Sequence, residues 1–273
     1  MALRIFIFLL VFVFAGCSTL FIDKRPTPCK SKRTLRFATY NLFCENGHHQ
    51  DLNGVTCLIY EINPDIMVFQ ECQCFSEKYY RCQLRQRYPY HLSFHYSDSI
   101  KEHDDGLAII SKYPIINNLF LPPVYGWSPG WLVTIKTPKG CLQVFNVHLN
   151  PKLVCENNIG LFGEGIWATS QFRLKEINYY YQFLNPKLPT IIAGDFNEND
   201  NCAVANYLCN RNFFDNLTLV PAYIKTWYWN AAGFVVTGRY DRIYNSPCLH
   251  TKYCRVVTKG DSDHFPVFVD YCY

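Results

Sequence analysis

Asp195 and Asn197 stand two residues apart, just after Leu188-Pro189-Thr190-Ile191-Ile192. That short apolar run, rich in β-branched residues, reads as a buried strand. If the backbone stays extended, both side chains leave on one side. One is an anionic oxygen ligand or base, and the other is an amide that donates and accepts. The pair suits gripping a phosphate beside a hard cation, although a turn in which Asp and Asn cap their own backbone uses the same residues. The pattern recurs at other strand ends: Asn41, Glu71, His148, Asp241, Asp263 and His264 each flank an apolar run. A carboxylate closing an apolar strand is costly to bury unless a cation or an Arg accompanies it. Any one of these groups alone reads as structural. Eight of them at strand ends point to one site, because ligand sites of layered α/β folds gather there. The set is rich in oxygen and has no thiolate cluster, so it suits Mg²⁺, Mn²⁺ or Ca²⁺ better than a Cys-type zinc site. Arg173 and Trp227 are the candidate substrate-binding residues.

The elements that must position these groups follow from periodicity. Strands are expected over 36–43, 65–71 and 106–111, with a hairpin of Leu132–Ile135 and Leu142–Val147 around Lys139-Gly140. Helices are expected over 55–62, ending before Asn63-Pro64, and over 76–88, 170–184 and 203–208. Residues 125–131 read as an aromatic turn, and 151–170 as a long Gly-containing loop or lid. Asn216-Leu217-Thr218 is a glycosylation sequon.

The chain has 273 residues, 49% of them hydrophobic and 18% charged, which is enough to bury a large core. It carries 26 basic and 22 acidic residues; seven and one of these lie in residues 1–36, so 19 and 21 remain, a formal −2 for the rest. The bulk composition therefore lacks the basic footprint of a non-specific nucleic-acid binder. Residues 1–22 place Arg4 before an apolar run and end in small residues. This is the layout of a signal peptide, with a lipoprotein signal at Cys17 or an uncleaved anchor as the other readings. Residues 23–34 form a basic linker able to lie on anionic lipid, and a single domain spans 35–273. The expectation is a secreted or surface-anchored monomer; a cytoplasmic-facing anchor is the alternative. Among the fourteen cysteines, Cys202 with Cys209 or Cys248 with Cys254 could bridge locally, and reduced buried thiols are the other reading.

Seven ordered motifs carry a resemblance: Thr39-Tyr40-Asn41-Leu42, Phe69-Gln70-Glu71, Gly106 to Lys112, Asn146-Val147-His148-Leu149, Gly194-Asp195-Phe196-Asn197, Tyr240-Asp241-Arg242-Ile243 and Ser262-Asp263-His264-Phe265-Pro266-Val267. Together they resemble the motif series of the endonuclease/exonuclease/phosphatase superfamily over residues 35–273. The resemblance implies a four-layer αββα sandwich, two mixed β-sheets packed face to face with helices outside. It implies a metal-dependent phosphodiesterase using in-line attack of an activated water. Glu71 would be the main metal ligand, with Asn41 alongside and Asp263 assisting. His264 would be the general base or would polarise the phosphate, its ring held by Asp241. Asp195 would orient or deprotonate the water. Asn197 and His148 would bind phosphoryl oxygens, and His148 could protonate the leaving group. Phe43 stands where abasic-site enzymes carry an acid, and Asn150-Pro151 where sphingomyelinases carry Gln-Ala. Substrate class thus stays open between nucleic acid, the first reading, and a lipid head group. A catalytically silent binding protein is the third.

Overall fold

A computed structural model describes residues 34–43, 51–97, 104–125, 129–151, 162–231 and 234–272. The expectations for residues 1–22, for nearly all of the linker, and for half of the 151–170 loop and the tip of the 125–131 turn lie outside those residues.

Two six-stranded sheets dominate. The first contains β1 (Thr34–Asn41), β2 (Ile66–Gln70), β3 (Tyr90–Ser97), β4 (Asp104–Ser111), β13 (His250–Val256) and β14 (Val267–Cys272), in the order β13-β14-β1-β2-β4-β3. The second contains β5 (Ile115–Leu121), β6 (Gly130–Thr137), β7 (Gly140–His148), β8 (Thr190–Asp195), β9 (Phe214–Asp215) and β12 (Asp241–Asn245), in the order β5-β6-β7-β8-β12-β9. β1 runs parallel to β2 and β7 parallel to β8; the other pairings are antiparallel. A separate ribbon pairs β10 (Trp227–Ala231) with β11 (Phe234–Gly238).

Side-chain alternation explains the layering. Along a strand, neighbours point to opposite faces. Leu35 and Phe37, Ile66 and Val68, Leu142 and Val144, Ile191 and Ala193 all join one buried cluster shared by both sheets. The intervening residues turn outward. Ala38, Tyr40, Met67 and Phe69 pack against α1 (Leu52–Ile62) and α2 (Cys74–Leu84). Phe145, Val147 and Ile192 pack against α3 (Phe162–Tyr181) and α4 (Ala203–Cys209). Strands apolar on both faces are what a doubly covered sheet requires. The result is a sandwich with helices on both outer faces, as the resemblance implied.

Several boundaries differ from expectation. α3 begins at Phe162, inside the segment read as a loop; Gly163 and Gly165 weaken local helix propensity there. The sequon does not mark an exposed loop. Asn216 is fully buried, its amide donating to Ile243 O and to Asn245 Oδ1, each at 2.7 Å. Cys248 and Cys254 are free thiols, so that local bridge is absent, while Cys272 is disulfide-bonded.

Candidate active site

The inner face changes character toward one end of the sandwich. Continuing the same alternation, Phe37 leads to Thr39 and Asn41, Val68 to Gln70, Val144 to Asn146 and His148, Ala193 to Asp195, and Ile243 to Asp241. Gln70 Nε2 donates to Asn146 Oδ1 at 2.7 Å, and Asn146 Nδ2 donates to Phe69 O at 3.0 Å. This buried polar layer joins the two sheets beneath the site. Register then aligns the ends: Asn41 pairs with Gln70, His148 with Asp195, and Asp195 with Asp241.

Two local backbone features complete the alignment. In extended backbone Glu71 would follow Gln70 to the helix side. Instead it adopts φ 54°, in the left-handed region that β-carbon-bearing residues enter rarely, and its carboxylate meets Asn41. Gly194 has φ 143°, and a Cβ there would lie 1.8 Å from Val147 O. Only glycine lets β8 lie this close to β7.

Asn41 Nδ2 donates to Glu71 Oε1 at 2.9 Å and to Asp195 Oδ2 at 3.1 Å. His148 Nε2 lies 3.8 Å from each of those two oxygens. His264 Nδ1 is bonded to Asp241 Oδ2 at 2.8 Å, and its Nε2 lies 3.7 Å from Asp195 Oδ2 and 3.9 Å from Asp263 Oδ1. Asp263 Oδ2 accepts from the Trp227 indole at 2.8 Å. Asn197, at φ 50°, donates its backbone N–H to Asp195 Oδ1 at 2.8 Å and its amide to Leu149 O at 2.9 Å. The expected residues Asn41, Glu71, His148, Asp195, Asn197, Asp241, Asp263, His264 and Trp227 therefore occupy one place.

The electrostatics follow from crowding. Burial by itself would lower the His264 pKa, but the Asp241, Asp195 and Asp263 carboxylates outweigh it and raise it to about 10. Burial, reinforced by the charge of Glu71, raises Asp263 to about 6. Burial also pushes Asp241 up. Four carboxylates around two imidazoles leave an excess of negative charge. The buried Asp263 Oδ1 has no hydrogen-bond partner among the described residues. Asp195, Asp241 and His264 also bring one ligand atom each within 4.8 Å of one another. These two carboxylates and one imidazole, with the Glu71 and Asp263 carboxylates beside them, are an oxygen-rich set that fits a divalent cation.

Two expectations need correction. Arg173 does not face a substrate. It is 2% exposed, lies 3.3 Å from Glu198 Oε1 through Nε, and donates to Asn150 O at 3.1 Å. Asn41 turns its amide nitrogen, not its oxygen, to the carboxylates; it braces them, and its Oδ1 accepts from Phe43 N at 3.0 Å.

Three further residues support the site. Thr226 Oγ1 accepts from Tyr240 N at 2.9 Å and Asp241 N at 3.0 Å, fixing the start of β12. Ser262 Oγ donates to Asn41 O at 2.8 Å and accepts from His264 N at 3.0 Å. Glu176, on α3, accepts from Asn150 N at 3.0 Å. Ser262 lay inside a motif already noted, but the partners of Thr226 and Glu176 are backbone atoms that no side-chain pattern reveals.

The model of the Endonuclease/Exonuclease/phosphatase family matches residues 38–264. The chain belongs to this family. An endonuclease/exonuclease/phosphatase family protein from Leptotrichia buccalis C-1013-b superposes with a TM-score of 0.66 at 17% identity, over 88% of this chain and 100% of that one. D. rerio TDP2 complexed with a single-strand DNA product gives 0.64 at 17% identity, over 87% and 98%. Beta toxin 275-280 from Staphylococcus aureus gives 0.66 at 18% identity, over 86% and 99%. At such identities the likeness concerns the fold. No curated protein matches the sequence.

Proposed function

We propose that the protein is a divalent-cation-dependent phosphodiesterase. One observation carries this reading: Asn41 ties Glu71 to Asp195, residues from opposite sheets, directly beside the His264–Asp241 pair and His148. Packing alone gives no reason to gather so much like charge.

In this reading Glu71 and Asp263 would hold a cation, Mg²⁺ first and Mn²⁺ or Ca²⁺ as alternatives, and Asn41 keeps the carboxylates aligned. Bound there, such an ion would supply positive charge to the phosphoryl oxygens. Asp195 orients the attacking water. His264, its ring held by Asp241 at 2.8 Å, serves as general base or polarises the phosphoryl group. His148 and the second amide N–H of Asn197 grip phosphoryl oxygens, and His148 is placed to protonate the leaving group. Trp227 positions Asp263 through its indole N–H.

The substrate reading is a nucleic-acid chain. Trp227, bonded to Asp263, stacks on the buried Tyr240 at 5.0 Å on one side and on the exposed Trp229 at 6.5 Å on the other, so the ring series leads from the site to the surface at Trp229. Such rings suit base stacking. A lipid head group is the second reading, supported by the exposed Tyr223, Val235 and Val236 around the same ribbon. Export is supported by the Cys272 disulfide, with residues 1–36 as the membrane-proximal segment and the folded domain as a monomer.

Glu71→Gln and His264→Ala should each abolish Mg²⁺-dependent hydrolysis of bis(p-nitrophenyl) phosphate while circular dichroism stays unchanged. Activity retained in both variants overturns the reading. Plasmid nicking that falls steeply with salt favours nucleic acid; head-group release from liposomes favours lipid.

A further inference from the structure

The short turn after β7 has its backbone groups bonded from two sides. Leu149 N donates to Asp195 O at 2.9 Å, and Leu149 O accepts from Asn197 Nδ2 at 2.9 Å, both around the end of β8. Asn150 N donates to Glu176 Oε2 at 3.0 Å. Arg173 Nη1 donates to Asn150 O at 3.1 Å and to Pro151 O at 3.4 Å. Arg173 and Glu176 both come from α3, three residues apart, so they share one face of the helix. Ser170 continues that stripe and donates to Glu198 Oε1 at 2.8 Å, the oxygen that also faces Arg173. The helix is thus bonded to the turn that follows His148 and to the loop that carries Asn197.

Ordinary packing does not require this. Arg173, Glu176 and Glu198 are 2%, 1% and 2% exposed, and burying charge is costly even when it is paired. Ile177 and Tyr180 already seat α3 on the sheet by apolar contact. Glu176 Oε1 has no hydrogen-bond partner among the described residues, so the carboxylate is kept despite incomplete satisfaction. What these buried polar groups add is direction, since each bonds a particular backbone atom.

We propose that Glu176 and Arg173 are positioning residues: by clamping the Leu149–Pro151 turn to α3, they set the spacing of His148 and Asn197 across the reacting phosphate. The inference rests on the phosphodiesterase reading and extends it to residues that make no contact with substrate. A displacement of about 1 Å in a gripping group costs about 100-fold in rate.

The full chain is assayed with bis(p-nitrophenyl) phosphate and Mg²⁺. Glu176→Ala leaves the Asn150 N–H buried without an acceptor, whereas Glu176→Gln keeps one. Glu176→Ala should lower kcat by about 10- to 100-fold with KM changed by less than about threefold, and Glu176→Gln should recover most of that loss. Combined with Asn197→Ala, Glu176→Ala should add little further loss, because the two act on one grip. The His148 imidazole resonances should move further in Glu176→Ala than in Glu176→Gln, which loses the same charge but keeps the acceptor, while those of His264 stay in place. That spectrum is readable without turnover, so an inactive wild type would remove the phosphodiesterase reading and leave this inference to be decided by the resonances. Wild-type kcat in Glu176→Ala, fully multiplicative losses in the double variant, or His148 resonances that move no further than in Glu176→Gln each overturn the proposal. Should Glu176→Ala fail to fold, Arg173→Lys, which keeps the charge and loses the planar fork, is read by the same cycle and the same spectrum.

Discussion

Glu176 carries a measurable signature of its burial. Desolvation raises its pKa from 4.5 to about 7, only partly countered by the Asn150 N–H and by His148. A carboxyl raised in the folded state binds more protons there than in the unfolded chain. Its stabilising share is complete below pH 4.5 and is lost as pH climbs through about 7. The loss amounts to about 3 kcal/mol. Melting temperature should therefore fall across that window more steeply in wild type than in Glu176→Gln; parallel curves would refute it. At this scale the site was legible where side chains meet side chains. Asp, Glu, His and Asn at the ends of apolar runs are unusual enough to be read directly. Arg173 was misread because an exposed guanidinium and one buried against carbonyls look alike in sequence. Thr226 escaped notice because its hydroxyl serves two backbone N–H groups of residues 14 and 15 positions away.

Among the elements, β7 and β8 show how register becomes chemistry. Their parallel pairing sets His148 opposite Asp195, and Gly194 allows the approach. Gly194→Ala would place a methyl group against Val147 O and force a left-handed φ on alanine. The expected cost is about 3 kcal/mol or more, with activity lost at temperatures where the variant is still folded. Urea unfolding beside the hydrolysis assay checks both parts. The helices and central strands were readable from apolar periodicity, and the hairpin around Gly140 from its turn. The strands β3, β5, β9, β10, β11 and β13 were not. β3 is an edge strand of alternating His, Ser and aromatic residues, and β10 and β11 form a two-stranded ribbon outside the large sheets, tied to residues 263–265 by an isolated bridge from Trp227 to His264. Such strands lack the doubly apolar run that marks a covered one.

For the whole molecule, the balance of charge is the governing feature. Glu71, Asp195, Asp241 and Asp263 are brought together at one end of a sandwich whose centre is apolar. Relieving that repulsion should stabilise the fold. Mg²⁺ at about 100 times its dissociation constant should add about 2.7 kcal/mol, seen as a rise in melting temperature that EDTA reverses and Glu71→Gln largely removes. A melting curve indifferent to Mg²⁺ in wild type would show that these carboxylates do not hold the ion. The same scale separates what each level of description decides. The ordered motifs carried the resemblance that implied the layered class, and residue types along the chain were enough to identify the strand-end groups and the oxygen-rich character of the site, because strand ends are local properties. Which oxygen meets which nitrogen is not local. The bridge from Asn41 to Asp195 spans 154 positions, and it exists only because two sheets pack face to face with their polar ends in register. The position of Arg173 inside α3's contacts and the left-handed turn at Glu71 are likewise products of packing, since each depends on neighbours that the chain supplies from far away.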